Sequence, residues 1–373
     1  MVNNAKKLRP SVFIIAEIGV NHDGNLSKAK KLICAAKKSG ADAVKFQSFI
    51  TDEFVKISST LASYQKTNTK NRFKSQYQLL KKLELDFNKQ AQLKKYALSQ
   101  KIQFISSAFD PISLQFLIKN LNLKLIKLGS GEITNLPLIY AVGFARKKLI
   151  LSTGMATLAE VKDALVAYYL GINNIKPSLK LSKIKYDEVK FKNWLRKDAK
   201  ANLTLLHCVS EYPTEIKKIN LNSISVLRNH FPVSIGLSDH TESLLVPALS
   251  VALGATVIEK HLTLDRSSFG PDHRASLTPK EFKLMVKNIR SAELAIGRNL
   301  KIPTKNELVI AQKVRKGIYA SKKIRKGSII SVNDLSIKRP ANGIHPKYYW
   351  KLIGMKANKS YEINESINEL NLV

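Results

Sequence analysis

Between residues 12 and 295 the chain alternates short β-like runs with helical patterns, an order that few folds accommodate because each strand must return parallel to the one before it. The runs are Val12 to Ile18, Ala43 to Gln47, Gln103 to Phe109, Leu123 to Gly129, Lys148 to Gly154, Asn202 to Val209, Val233 to Asp239 and Thr256 to Leu262. Helix signals lie between them. Ser27 precedes the apolar stripe Ala29, Leu32, Ile33 and Ala36, with Gly40 as a stop. Thr157 and Glu160 form a capping box, and Thr278, Pro279 and Glu281 open the last helix with Leu277 and Phe282 as its staple. Eight βα units in about 280 residues predict an α/β fold, a closed (β/α)8 TIM barrel. An open doubly wound sheet fits less well, since Ile18 is followed by Gly19-Val20-Asn21-His22-Asp23-Gly24 and not by a dinucleotide-binding glycine fingerprint.

Two segments exceed a minimal barrel. Residues 48–86 form a polar excursion with a helix expected around Phe73 to Leu83, on the side where βα loops shape active sites. Residues 171–201 lie on the opposite side and read as a surface elaboration with a hairpin. The barrel is assigned to residues 1–297, a linker to 298–312 and a small β-rich domain to 313–373.

No apolar run approaches the ~20 residues that cross a bilayer, and the N-terminal stretch lacks the apolar core of a signal peptide. Cys34 and Cys208 sit far apart in apolar segments, which suits buried thiols in a reducing compartment. A cytoplasmic protein without a membrane partner is expected, and neither cysteine is assigned to catalysis. The 62 Lys and Arg against 28 Asp and Glu give a net charge of +34. Nucleic-acid binding is the rival reading of that charge. The lysines are spread along the whole chain and no nucleic-acid motif accompanies them, so the charge reads as a solvated surface whose field attracts anionic small molecules.

Active sites of such barrels lie at the C-terminal strand ends. Here those ends carry Glu17, Lys45 and Gln47, Ser106-Ser107, Lys127 with Ser130 and Glu132, Ser152, Ser210-Glu211-Tyr212, Ser238-Asp239-His240, and Glu259-Lys260-His261. Residues two apart share a strand face, so Lys45 goes with Gln47 and Ser238 with His240. A lysine inside an apolar strand, such as Lys127, calls for an anionic partner, and an anionic ligand in the mouth would supply one. Lys45 and Lys127 with Ser107, Ser130, Ser152 and Ser238 therefore suggest a phosphate or carboxylate site. His240 and His261 end neighbouring strands and could hold a divalent cation. Glu17 pairs with Lys45, contacts substrate or moves a proton. A lysine Schiff base at Lys45 or Lys127 is a further chemical alternative. His207 and His230 read as structural, while His22 and His273 border the mouth.

Several motifs together carry a resemblance: Ala16-Glu17-Ile18-Gly19-Val20-Asn21-His22-Asp23-Gly24, Val44-Lys45-Phe46-Gln47, Lys127-Leu128-Gly129-Ser130-Gly131-Glu132, Leu151-Ser152-Thr153-Gly154-Met155, Gly236-Leu237-Ser238-Asp239-His240-Thr241 and Gly270-Pro271-Asp272-His273. They resemble the sialic acid synthase family, and Lys338-Arg339-Pro340-Ala341-Asn342-Gly343 resembles its C-terminal antifreeze-like (SAF) domain. The resemblance implies condensation of phosphoenolpyruvate with an N-acetylated hexose, N-acetylmannosamine or a diacetamido analogue, to a nine-carbon 2-keto acid and phosphate. It implies that Lys127, Ser130, Ser152 and Ser238 hold the phosphate and Lys45 the carboxylate, with Gln47, Ser107, Glu132 and Tyr212 as further substrate contacts. His240 and His261 would bind a divalent metal, manganese before magnesium or cobalt, and Glu17 and Asp272 would meet sugar hydroxyls, with Glu17 the proton carrier. Arg339 would reach the N-acetyl group across a domain-swapped homodimer. Ser210 stands where the family often has asparagine, so its phosphate role carries over only weakly.

Overall fold

The computed structural model describes residues 11–177, 179–180, 183–184, 186–297 and 300–368. The chain divides into two compact units, Met1–Gly297 and Arg298–Val373. In the first, eight strands close into a parallel barrel in sequential order: β1 Phe13–Gly19, β2 Ala43–Ser48, β3 Gln103–Ala108, β4 Leu125–Leu128, β5 Lys148–Ser152, β6 Leu203–Cys208, β7 Ser234–Asp239 and β8 Val257–His261. The expected TIM barrel is thus present, each strand within a residue or two of its sequence run. The fourth is the most shortened, because Gly129 leads straight into a 3-10 turn at Ser130–Glu132.

Strand alternation sorts the side chains. Ile14, Ala16, Val44, Phe46, Leu237 and Ile258 face outward into the main core beneath the helices. Ile15, Ala43, Ile105, Ile150, Leu206 and Val257 fill the barrel floor. Two residues further along each strand, the same inward face changes character to Glu17, Lys45, Ser107, Ser152, Cys208 and Glu259, all buried. The apolar floor thus supports a polar layer from below.

Helix α1, Leu26–Lys38, buries Ala29, Leu32, Ile33 and Ala36 as its stripe predicts. Its cap is Asn25 rather than Ser27: the Asn25 side chain accepts from Lys28 N at 2.9 Å, because Gly24 at φ +73° turns the chain two residues earlier than the stripe suggests. Gly40, at φ +90°, follows its end. Helices α2 (Leu136–Phe144) and α3 (Leu158–Ile172) lie side by side, and α3 opens on the expected Thr157–Glu160 capping box. Helix α4 spans Val246–Ala252, and α5, Pro279–Ile296, opens on the Thr278–Glu281 box with the staple residues Leu277 and Phe282 fully buried.

The excursion over 48–86 holds three short helices, Thr51–Phe54, Ser63–Asn68 and Gln76–Leu83, where one was expected. They close over a separate small core of Val20, Phe49, Leu61, Leu79, Leu80 and Leu83. The 171–201 elaboration contains the short antiparallel pair Leu179–Lys180 and Lys183–Ile184, then a helix at Glu188–Lys197 whose Phe191 and Trp194 rings pack on Tyr169.

In the second unit, strands β9 (Gly317–Ala320) and β10 (Leu335–Lys338) pair antiparallel beside a core of Ile318, Ile324, Ile330, Leu352, Tyr361 and Ile367. A helix at Lys305–Val314 occupies part of the stretch read as linker. Among the described residues no helix is long and apolar enough to cross a membrane.

Helices α2 and α3 approach so closely that neither crossing glycine has room for a side chain. A Cβ on Gly171 would lie 2.2 Å from the Tyr140 carbonyl oxygen, and one on Gly143 would lie 2.4 Å from that of Tyr168. These are backbone atoms, so relief requires the helices to separate. Gly171→Ala is expected to lower stability by about 1–3 kcal/mol. The exposed cap variant Thr157→Ala should cost about 1 kcal/mol. Urea unfolding followed by circular dichroism orders the two, and an alanine at 171 as stable as the parent would refute the close packing.

Candidate functional site

The polar layer brings four charges together. Lys45 Nζ lies 2.7 Å from Glu17 Oε2 and 3.7 Å from Glu259 Oε2, and Lys127 Nζ lies 3.7 Å from Glu259 Oε1. The lysines also donate to hydroxyls, Lys45 to Ser107 at 3.0 Å and Lys127 to Ser152 at 2.7 Å, while Ser238 donates to Glu259 at 2.9 Å. The sequence reading satisfied the lysines with an incoming anion, or, for Lys45, with Glu17 on the neighbouring strand, and the Glu17 pairing is present. In the folded chain their partners are the protein's own carboxylates, because β8 sets Glu259 on the same inward face as His261. Glu259, noted at its strand end but given no role, is a site residue that sequence reasoning missed, and its two-residue spacing from His261 was the available signal.

The two carboxylates are pushed apart. Burial and the nearby negative charge of Glu259 outweigh the Lys45 contact and raise Glu17 to about 7. Burial also opposes the charged form of Glu259, but Lys127 and Lys45 on either side of it prevail and hold it below the ordinary glutamate value. Burial lowers Lys127 despite the pull of Glu259.

Around Gly19 (φ +54°), a Cβ would lie 3.1 Å from Glu17 Oε1, 3.3 Å from Asp272 Oδ2 and 3.3 Å from Gln47 Nε2, so these three expected site residues converge on one spot. Across the mouth, Gly154 plays the same part: a Cβ there would lie 2.6 Å from Ser210 Oγ and 2.7 Å from Ser130 Oγ. Ser130 accepts from Gly154 N at 3.1 Å. Glu132 is buried, raised by that burial, and takes a 2.7 Å hydrogen bond from Asn135, the cap of α2. Arg339 lies in the second unit, exposed at the end of β10.

His240 and His261 face each other with ring centroids 5.5 Å apart. Tyr212 stacks on His240 at 3.9 Å and meets His261 edge-on at 5.8 Å. His240 Nδ1 lies 2.7 Å from the Val209 carbonyl, so Nδ1 carries a proton. Burial opposes its charged form, but Cys208 and that carbonyl raise the imidazole above the usual histidine value, and its Nε2 is open to a ligand once the ring is neutral. His261 Nδ1 is buried with no hydrogen-bond partner, the nearest carboxylate oxygen being Asp272 Oδ2 at 3.9 Å. Burial, with the positive groups around it, keeps that imidazole neutral, well below the usual histidine value. Two convergent imidazoles, one of them with an orphaned ring nitrogen, fit a divalent cation that takes its other ligands from water or substrate. Among the described residues no three His, Cys, Asp or Glu side chains gather as a complete metal cage.

Cys208 is buried, as the sequence reading has it, but its surroundings differ from the apolar ones expected. It does sit in an electropositive setting: burial raises its pKa, but His240, 3.8 Å away, and Lys127 bring it below the ordinary thiol value. The strand alternation places it inward, two residues beyond Leu206. His207 and His230 bond backbone carbonyls of Ile219 and Val226, as expected of structural histidines. His273 bridges Thr263 Oγ1 at 2.7 Å and Asp23 Oδ1 at 3.1 Å, and His22, lowered to about 4 by burial, accepts from Gly24 N. Two residues of the excursion also reach the mouth unforeseen: Asn68 donates to the Pro271 carbonyl at 2.6 Å, and Tyr64 packs 5.1 Å from Tyr212.

The NeuB family model matches residues 32–301, and the SAF domain model residues 315–372. The N,N'-diacetyllegionaminic acid synthase of Campylobacter jejuni is 42% identical over 356 residues, 95% of this chain and 98% of that protein. The synthase of the same name from Legionella pneumophila is 42% identical over 344 residues, 92% of this chain and 90% of that one. Among solved structures, an N-acetylneuraminic acid synthetase from Leptospira borgpetersenii superposes with a TM-score of 0.64 at 29% identity, covering 81% of this chain and 90% of its own. The conjunction of that barrel, its strand-end residues and a C-terminal SAF domain makes the chain a member of the NeuB family, the sialic acid synthases.

Proposed function

We propose that the protein condenses phosphoenolpyruvate with a diacetamido hexose, giving a nine-carbon 2-keto acid of the legionaminic type and free phosphate. The observation that carries this reading is the buried pair Lys45 and Lys127, each bound to a strand-end hydroxyl, beside two converging imidazoles. Two ammonium groups with Ser152, Ser130 and Ser238 suit a phosphate and a carboxylate carried on one small molecule. The 42% identity to two diacetyllegionaminic acid synthases favours the diacetamido sugar over N-acetylmannosamine.

In the reaction, C3 of the enol forms a bond to the sugar aldehyde carbon, and water adds at C2. The resulting hemiketal phosphate then expels inorganic phosphate and leaves the 2-keto group. A manganese ion held by His240 and His261 would supply Lewis acidity toward the aldehyde and the water. Lys127 and the hydroxyls hold the phosphate, Lys45 the carboxylate, and Asp272 and Gln47 line the sugar side. Glu17, held near neutrality, takes or returns the proton that the aldehyde oxygen and the water exchange. Stacked Tyr212 shields His240 from bulk water. We assign Arg339 to the sugar N-acetyl group in a homodimer that exchanges its C-terminal domains.

Purified protein is expected to release phosphate from phosphoenolpyruvate faster with a 2,4-diacetamido hexose than with N-acetylmannosamine, to stop after EDTA treatment and to resume with Mn2+. His240→Ala should lower kcat/KM by at least about 100-fold, equivalent to about 2.7 kcal/mol of transition-state stabilisation. Equal turnover by that variant, or turnover indifferent to EDTA, would remove the metal from the reading. Arg339→Ala should raise the KM of the sugar about 10-fold, the loss of a charge-assisted hydrogen bond, and leave that of phosphoenolpyruvate unchanged. Steady-state kinetics with each substrate varied in turn checks this, and an unchanged sugar KM refutes the assignment.

A further inference from the structure

The proposed chemistry leaves one buried ion pair without a task. Asp239 and Lys260 are register partners on β7 and β8, each immediately preceding one of the two histidines and turned to the opposite, helix-facing side. Both side chains are 0% exposed, and Lys260 Nζ lies 2.6 Å from Asp239 Oδ2. The pair does not stop at each other. Asp239 accepts from Thr241 N at 2.9 Å and from Thr241 Oγ1 at 3.2 Å, and Lys260 donates to the Thr241 carbonyl. His240 is thus spanned: the residues before and after it are tied into one hydrogen-bonded knot, anchored to the residue before His261. The His240 carbonyl is held as well, by Thr214 N at 2.9 Å.

Stability alone gives weak reason for such a pair. Desolvating two charges costs several kcal/mol each, and an apolar pair of similar volume usually serves a core as well or better. The neighbouring outward positions, Leu237 and Ile258, are apolar. What the ions supply and apolar groups do not is a fixed direction, since each ion bonds the backbone of the segment that carries His240.

We propose that Asp239 and Lys260 are positioning residues that set the approach of the His240 and His261 imidazoles and thereby the affinity for a divalent cation. This rests on the reading of those two histidines as the cation's protein ligands. Neither residue touches substrate or cation. Their effect passes through the backbone at Thr241 and through the strand step to His261.

The test is a titration of metal-stripped full-length protein with Mn2+, free Mn2+ being read by electron paramagnetic resonance without substrates present. The double variant Asp239→Leu/Lys260→Met fills the space without charge and is expected to keep the parent's melting temperature within a few degrees while its Kd for Mn2+ rises about 10- to 100-fold. Lys260→Arg, which keeps the charge and the donors, is expected to retain affinity within about threefold of the parent, since both bonds of the knot can re-form. Should the double variant not fold, Asp239→Asn carries the same readout, with a Kd about 10-fold weaker expected. A folded variant lacking the pair that binds Mn2+ as tightly as the parent overturns the inference and leaves the metal reading standing. A parent protein that binds no Mn2+ overturns both.

Discussion

Four charges buried in one layer of the barrel set the terms for everything above them. At an effective dielectric of 20, two unit charges 3.7 Å apart interact by about 4–5 kcal/mol. Removing each from water costs several kcal/mol, so Lys45 and Lys127 remain charged inside the protein only because Glu17 and Glu259 accompany them. The arrangement is not symmetric. Glu259 lies between both ammonium groups and also receives Ser238, whereas Glu17 has one lysine and faces Glu259 across it. The same burial therefore leaves Glu259 firmly ionised and lifts Glu17 to about 7, the separation of roles expected where two carboxylates share a site.

The fold makes this layer affordable by setting a dry floor beneath it. Ile15, Ala43, Ile105, Ile150, Leu206 and Val257 close the barrel one strand step below, so water approaches the charges only from the mouth. Above, the excursion packs on its own small core and bonds the Pro271 carbonyl through Asn68, next to Asp272. The loop that carries Asp272 is held from two directions, by Asn68 on that carbonyl and by Ser276 Oγ, which donates to the Asp272 carbonyl at 2.7 Å.

Much of this was legible in the sequence, and the exceptions have physical causes. Strand runs bounded by turn residues marked all eight strands, and capping boxes marked two helix starts to the residue, because both signals are local. The inward set was legible through strand parity at Lys45, Gln47, Ser238 and His240, and through position at the strand ends at Ser107, Ser152 and His261. Glu259 obeys the same parity, but a Glu-Lys-His run reads as a solvated strand end until the barrel buries it. Cys208 was discounted because its electropositive neighbours, His240 and Lys127, come from other strands. The knot of Asp239, Thr241 and Lys260 depends on the register between β7 and β8, which no single strand records. The short helices over 51–68 bury too few residues each to show an apolar stripe, and Asn25 displaced Ser27 as a cap because Gly24 turns the chain first.

With both glutamates ionised the layer is neutral, and this bears on how the ligands of the proposed reaction would bind. Phosphoenolpyruvate brings a phosphate and a carboxylate to lysines already matched by glutamates, so its binding alone would leave the pocket with excess negative charge in a low dielectric. In the proposed reaction a divalent cation at His240 and His261 would offset part of that excess. Glu17 offsets more by taking a proton, which its raised pKa makes inexpensive near neutral pH. Glu259 is held in the ionised form and cannot serve this way. Of the two buried glutamates, the unequal sharing of two lysines leaves Glu17 as the one that would change protonation in the proposed reaction.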